Sequence, residues 1–98
     1  MTREQILNKA MEIITKDREN AYGKPEDNFG MISKLWNTYL RIEPPDELSA
    51  VDVACMMCLL KLARIATGKT NIDNFIDLCG YAGCGGEISG RSYNSGKD

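Results

Sequence analysis

SAVDVACMMCLLKLARIATG, residues Ser49 to Gly68, carries both ends of a helix and an unusual middle. Ser49 with Asp52 three residues on is an N-terminal capping signature, and Gly68 suits the position just past a helix end. Between them, Val53 to Leu60 reads VACMMCLL, apolar on every side of a helix. A helix of that kind is surrounded by other elements, so Ala50–Thr67 is expected to be the central member of an all-α bundle.

The flanks supply its neighbours. Thr2 and Gln5 form a second capping box, and Ile6, Leu7, Ala10, Ile13 and Ile14 recur at helical spacing, predicting a first helix over about Arg3–Asp17. Phe29, Ile32, Trp36, Tyr39 and Leu40 form the apolar stripe of a second helix over about Glu26–Leu40, with Pro25 suited to its first turn. Trp36 and Tyr39 are expected in the core. The run EPPDEL, Glu43–Leu48, breaks the chain before the third helix. After the short link GKTN, Asn71 can cap a fourth helix through Ile72, Phe75, Ile76, Cys79 and Ala82. The glycine-rich GYAGCGGE, Gly80–Glu87, follows no strand and fits no phosphate-loop spacing, so close helix packing is the simpler reading. No strand is expected. Residues 1–88 form one domain of about four helices, and the tail SGRSYNSGKD, 89–98, shows no periodicity.

Composition narrows the function classes. The chain has 98 residues, 43% hydrophobic and 27% charged, with a formal charge of −2 and no histidine. It is too evenly charged to expect a nucleic-acid polymer as partner. No apolar run approaches the ~18 residues of a membrane span, and no signal peptide is apparent, so a cytoplasmic location is expected. Lacking histidine, the chain lacks the usual general base and the commonest transition-metal ligand. A domain this small buries a limited core, which favours a homo-oligomer. The four cysteines, Cys55, Cys58, Cys79 and Cys84, are expected as core thiols; zinc held by all four is the alternative.

Two polar groups stand out. Lys61 and Arg64 end the apolar stretch about 60° apart around the helix axis, and so share a face. Asp73 and Asp77 share a face of the fourth helix, with Tyr81 continuing the row. Folding the chain at the short link brings Lys61 to Asp77 and Arg64 to the Asp73–Phe75 turn, a cluster of two cations and two carboxylates. It reads either as helix-orienting ion pairs or as an anion site in which Arg64 forks onto a phosphate. The second group is the connection DRENAYGKPEDNFG, Asp17–Gly30. There Arg18, Tyr22, Gly23, Lys24 and Asn28 combine cations for phosphate with an aromatic ring able to stack on a base.

Arg18-x3-Tyr22-Gly23-x-Pro25-x2-Asn28-Phe29, Leu35-Trp36, Val51-Asp52-Val53-Ala54 with Met56-Met57, Lys61-x2-Arg64 and Asp73-Asn74-x2-Asp77-x2-Gly80-Tyr81-Ala82 together resemble a family of small phage and prophage proteins of unknown function. The resemblance covers roughly residues 4 to 88 and does not include the cysteines. It brings no settled activity. The bundle also looks like a shrunken relative of the all-α nucleoside triphosphate pyrophosphohydrolases. Their Glu-Glu-x2-Glu and Glu-x2-Asp magnesium motifs are missing here, since Glu12 and Glu87 are isolated and Asp73-x3-Asp77 has another spacing. A third comparison is functional. Small oligomeric phage proteins include sponges that sequester the nucleotide signals of bacterial immunity.

The reading that follows is a non-enzymatic protein binding a small phosphorylated nucleotide, with no catalytic residue, no metal ligand and no cofactor. Its ligand would be held by Arg18, Tyr22, Gly23, Lys24, Asn28, Lys61, Arg64, Asp73, Asp77 and Tyr81. The alternatives are a magnesium-dependent pyrophosphohydrolase, with Asp73 and Asp77 as metal ligands, and a structural or adaptor protein without a small ligand.

Overall fold

The computed structural model describes residues 1–68 and 71–94, apart from the side chains of Arg18 and 91–94. It is an all-α bundle: α1 (Arg3–Glu12), a π-helical turn (Ile13–Asp17), α2 (Arg18–Tyr22), α3 (Pro25–Leu40), α4 (Ala50–Thr67) and α5 (Ile72–Asn94).

Local signals set the helix starts. Thr2 and Gln5 exchange backbone and side-chain hydrogen bonds at the head of α1 (2.8 and 3.2 Å). Ser49 and Asp52 do the same for α4 (2.8 and 3.1 Å). Asn71 caps α5, its Oδ1 accepting from the Asp73 N–H at 2.8 Å. Pro25 opens α3 at its first turn.

Three boundaries differ from expectation. The first helical path does not end at Asp17 but widens by one π-helical turn and continues as α2 to Tyr22. No proline or glycine interrupts it until Gly23, whose φ of +81 breaks the helix at a backbone conformation suited to glycine. Tyr22 is therefore the last residue of a helix rather than a loop residue. At the other end, α5 continues to Asn94, so residues 89–94 of the expected irregular tail are helical, and 95–98 lie outside the described residues. Gly90 alone does not stop a helix. Gly68 follows α4 in an extended conformation (φ −107), not the left-handed one expected of it.

α4 packs between α3 and α5, and α1 lies along α5. The core is small: Phe29, Val53, Ala54, Cys84 and Ile88 are buried, with Ile14, Ile32, Trp36, Met57 and Tyr81 packed around them. Two apolar expectations are corrected. Tyr39 and Leu40, at the end of the α3 stripe, are 86% and 52% exposed. α4 itself is covered on one side only. Val53, Ala54 and Lys61 are its buried residues, while Leu59 is 63% and Leu62 47% exposed. Two neighbouring helices cannot enclose a third, and among the described residues no other element packs on α4.

The glycines of α5 do what close packing requires. A Cβ on Gly80 would stand 2.9 Å from Ile14 Cγ2, and one on Gly85 would stand 2.9 Å from the Cβ of Ala54. Gly85→Ala should therefore lower stability by about 1 kcal/mol, the overpacking cost exceeding the gain in helix propensity. Gly30 in α3 has no atom near the corresponding position. Gly30→Ala should instead raise stability by about 0.5–1 kcal/mol, and urea denaturation of both variants checks the pair.

Candidate functional site

Folding α4 against α5 brings Lys61 to Asp77 as the spacing predicts. Lys61 Nζ lies 2.9 Å from Asp77 Oδ2, with the lysine side chain 10% exposed and the aspartate 36%. The expected four-membered cluster does not form. Arg64 and Asp73 are both exposed, and no ion pair joins them among the described residues. Lys61 points at α5, and Arg64, three residues on, is rotated about 60° away toward solvent. Asp73 sits in the first turn of α5, where a carboxylate complements the helix dipole.

Asp77 also borders a cleft between α1 and α5, lined by Ala10, Ile13, Ile14, Ile76, Gly80, Tyr81 and Cys84. Its volume is about 30 Å³, room for a water molecule or two and far below that of a nucleotide pocket. Tyr81, one turn beyond Asp77, turns its ring to Phe29 (centroids 6.2 Å apart, planes 39° apart) and is half-buried in the core.

The second group lies elsewhere. α2 packs against the π-helical turn and α3, and makes no backbone contact with α4. Tyr22, the last residue of α2, thus lies on an element seated on the π-helical turn and α3, whereas Lys61 and Arg64 lie on α4. Tyr22 is 64% exposed. Lys24 is exposed at the N-cap of α3, where its side chain caps nothing and its carbonyl accepts from the Asp27 and Asn28 N–H groups. Asn28 is half-buried in the first turn of α3, and the Arg18 backbone begins α2.

The cysteines do not converge. Cys55 is exposed, Cys58 and Cys79 are half-buried, and Cys84 is buried, and none of the four is in a disulfide. Burial, then the neighbouring Cys55, pushes the Cys58 thiol above its ordinary value. Among the described residues, no three cysteine, aspartate or glutamate side chains come close enough to share a metal ion. No helix among them is long and apolar enough to cross a membrane.

One feature had no signal in the sequence. An open bowl of about 440 Å³ lies where α3 ends, lined by Lys34, Asn37, Thr38, Arg41, Ile42, Glu43 and Glu47. Asn37 forms it by clamping the following loop: its Nδ2 donates to the Leu48 carbonyl at 3.0 Å, and its Oδ1 accepts from the Leu48 N–H at 2.8 Å. Arg41 ends α3 in the left-handed conformation (φ 58), where glycine is the usual residue, so nothing in the residue type announces the turn.

The family described as "Domain of unknown function (DUF6378)" matches residues 5–89. The chain belongs to this family. The match spans the elements just described, from α1 into α5. Among curated proteins, it is 41% identical over 81 residues to the Gene 55 protein of Mycobacterium phage D29, covering 83% of this chain and 51% of that protein. It is 41% identical over 78 residues to the Gene 55 protein of Mycobacterium phage L5, covering 80% and 48% respectively. The chain thus spans about half the length of these relatives. They fit the small phage family expected from the motifs. No solved structure matches.

Proposed function

We propose that this member of the DUF6378 family is a non-enzymatic phage binding protein that sequesters a small phosphorylated nucleotide, with Tyr22 and Lys24 as its point of contact. The observation that carries the reading is the display of the Tyr22 ring, 64% exposed beside an exposed Lys24 at the start of α3. An exposed aromatic face can stack on a base, and a lysine one residue beyond a glycine turn can reach its phosphate. Binding is favoured over hydrolysis because no three potential metal ligands converge among the described residues, so the carboxylate cluster of the all-α pyrophosphohydrolases has no counterpart there. A binder of this kind acts by mass action alone.

The test is isothermal titration with cyclic mononucleotides, cyclic dinucleotides and cyclic ADP-ribose derivatives. At least one should bind, and Tyr22→Ala and Lys24→Ala should each weaken it about tenfold with the fold intact. Binding by none of them, or unchanged affinity in both variants, would remove the reading.

A second reading has its own support. Lys61 and Asp77 close on each other inside the α4–α5 hairpin and lie apart from the Tyr22–Lys24 turn, as expected of an adaptor whose ion pair only orients helices. It predicts no heat with any nucleotide.

A further inference from the structure

We infer that a second copy of this chain docks on the open face of α4, forming a two-fold dimer in which the two α4 helices run antiparallel. The inference is independent of the nucleotide reading.

The open face has the form of a helix seam. Met56, Leu59, Ala63 and Ala66 are all exposed and follow one another at spacings of three and four. In a coiled coil, that spacing places apolar knobs along one line toward a partner helix. Leu59 is 63% exposed, Leu62 47%, Leu60 39% and Met56 37%; on the adjoining α3, Leu35 is 60% and Tyr39 86% exposed. Together with Leu40 they leave on the order of 800 Å² uncovered, the share each partner contributes to a standard interface. A scattering of single apolar residues needs no explanation, but a continuous patch of this size does.

The shape selects a copy of the same chain. The α4 ridge runs between two apolar grooves. One, of about 490 Å³, is walled by Cys55, Cys58 and Tyr81 and floored by Ala82, Gly85 and Gly86. The other, of about 510 Å³, is formed by Leu35, Trp36, Tyr39, Leu40 and Met56. A ridge beside a groove is self-complementary: the ridge of each copy enters a groove of the other, as a two-fold interface requires. The small residues of α5 let a helix come close.

Charge agrees. Met56, Leu59, Ala63 and Ala66 are all uncharged, so no like charges meet along the seam. A two-fold antiparallel pairing of this seam sets Met56 level with the other copy's Ala66 and Leu59 level with its Ala63, and opposes the two helix dipoles.

Analytical ultracentrifugation of the full chain from 1 to 100 μM tests this. The parent should sediment at twice the mass of one chain. Leu59→Glu should raise the dimer dissociation constant at least a hundredfold while keeping the helical circular dichroism. Leu7→Glu should leave the dimer unchanged, because Leu7 is 58% exposed on α1, away from α4. Should Leu59→Glu fail to fold, Ala63→Glu at the same seam takes its place. A parent that stays at the mass of one chain overturns the inference, leaving the face to a different protein. So does an assembly larger than two, or a dimer that Leu7→Glu separates and the seam variants do not.

Discussion

Phe29→Ala should cost the protein a large share of its stability. Phe29 is fully buried, and its ring meets Tyr81 at the point where α3 crosses α5. Removing a buried phenylalanine side chain costs about 3–5 kcal/mol, the lost transfer energy plus the cavity it leaves. A chain of this length is stable by roughly 5–15 kcal/mol, so the loss takes a large share of the total. The buried core has few other members, and none is large enough to fill the gap by moving. Urea denaturation followed by the fluorescence of Trp36, the single tryptophan, reads the effect directly because that ring packs against the same core. Protein concentration is held fixed across variants, since self-association adds to apparent stability. Phe29→Leu, which keeps much of the volume, should retain most of the stability. A loss below about 1 kcal/mol in Phe29→Ala would contradict the packing of α3 on α5.

The second large effect is an asymmetry across one ion pair. Asp77→Ala strands the Lys61 ammonium, whose side chain is 10% exposed, without its carboxylate. Breaking a buried pair from one side costs roughly 3–5 kcal/mol; here the aspartate is partly hydrated, which brings the expected loss to about 2–3 kcal/mol. Lys61→Met keeps the aliphatic bulk between α4 and α5. It leaves behind Asp77, which at 36% exposure can turn to water, so its cost should stay below about 1.5 kcal/mol. Equal losses in the two variants would mean that the pair is worth only its packing. The contrast bears on function as well. Lys61 is held by its carboxylate inside the helix hairpin, whereas Lys24 and Arg64, two of the other cations considered for the site, are exposed.

The helix starts were legible because their signals are local. Thr2–Gln5, Ser49–Asp52, Asn71 and Pro25 each act within one turn, and short-range hydrogen bonding needs no knowledge of the fold. The Lys61–Asp77 pair was legible for a similar reason. A four-residue link forces an antiparallel hairpin, and helical rise then sets which residues stand level. The glycines of α5 were readable as packing devices but not by partner; that Gly80 faces Ile14 and Gly85 faces Ala54 depends on where α1 and α4 settle. Less could be read where a residue's type is compatible with two states. Arg18–Tyr22 contains nothing that forbids helix, so an apparent loop became α2. Ser89–Asn94 did likewise. Arg41 takes a left-handed turn with no glycine to mark it.

The largest divergence concerns α4. An apolar circumference suggests a covered helix, but the residue pattern does not specify what does the covering. Residue pattern alone settles the helical class, the caps, the hairpin register and the family motifs, because those follow from the period of the helix and from contacts a few residues apart. Burial is a property of neighbours. Only the packed bundle shows that α3 and α5 cover one side of α4 and leave Met56, Leu59 and Ala63 open. It likewise separates Tyr22 and Lys24 from Lys61, since the direction of α2 is decided by its seat on α3 and the π-helical turn, far along the chain from α4.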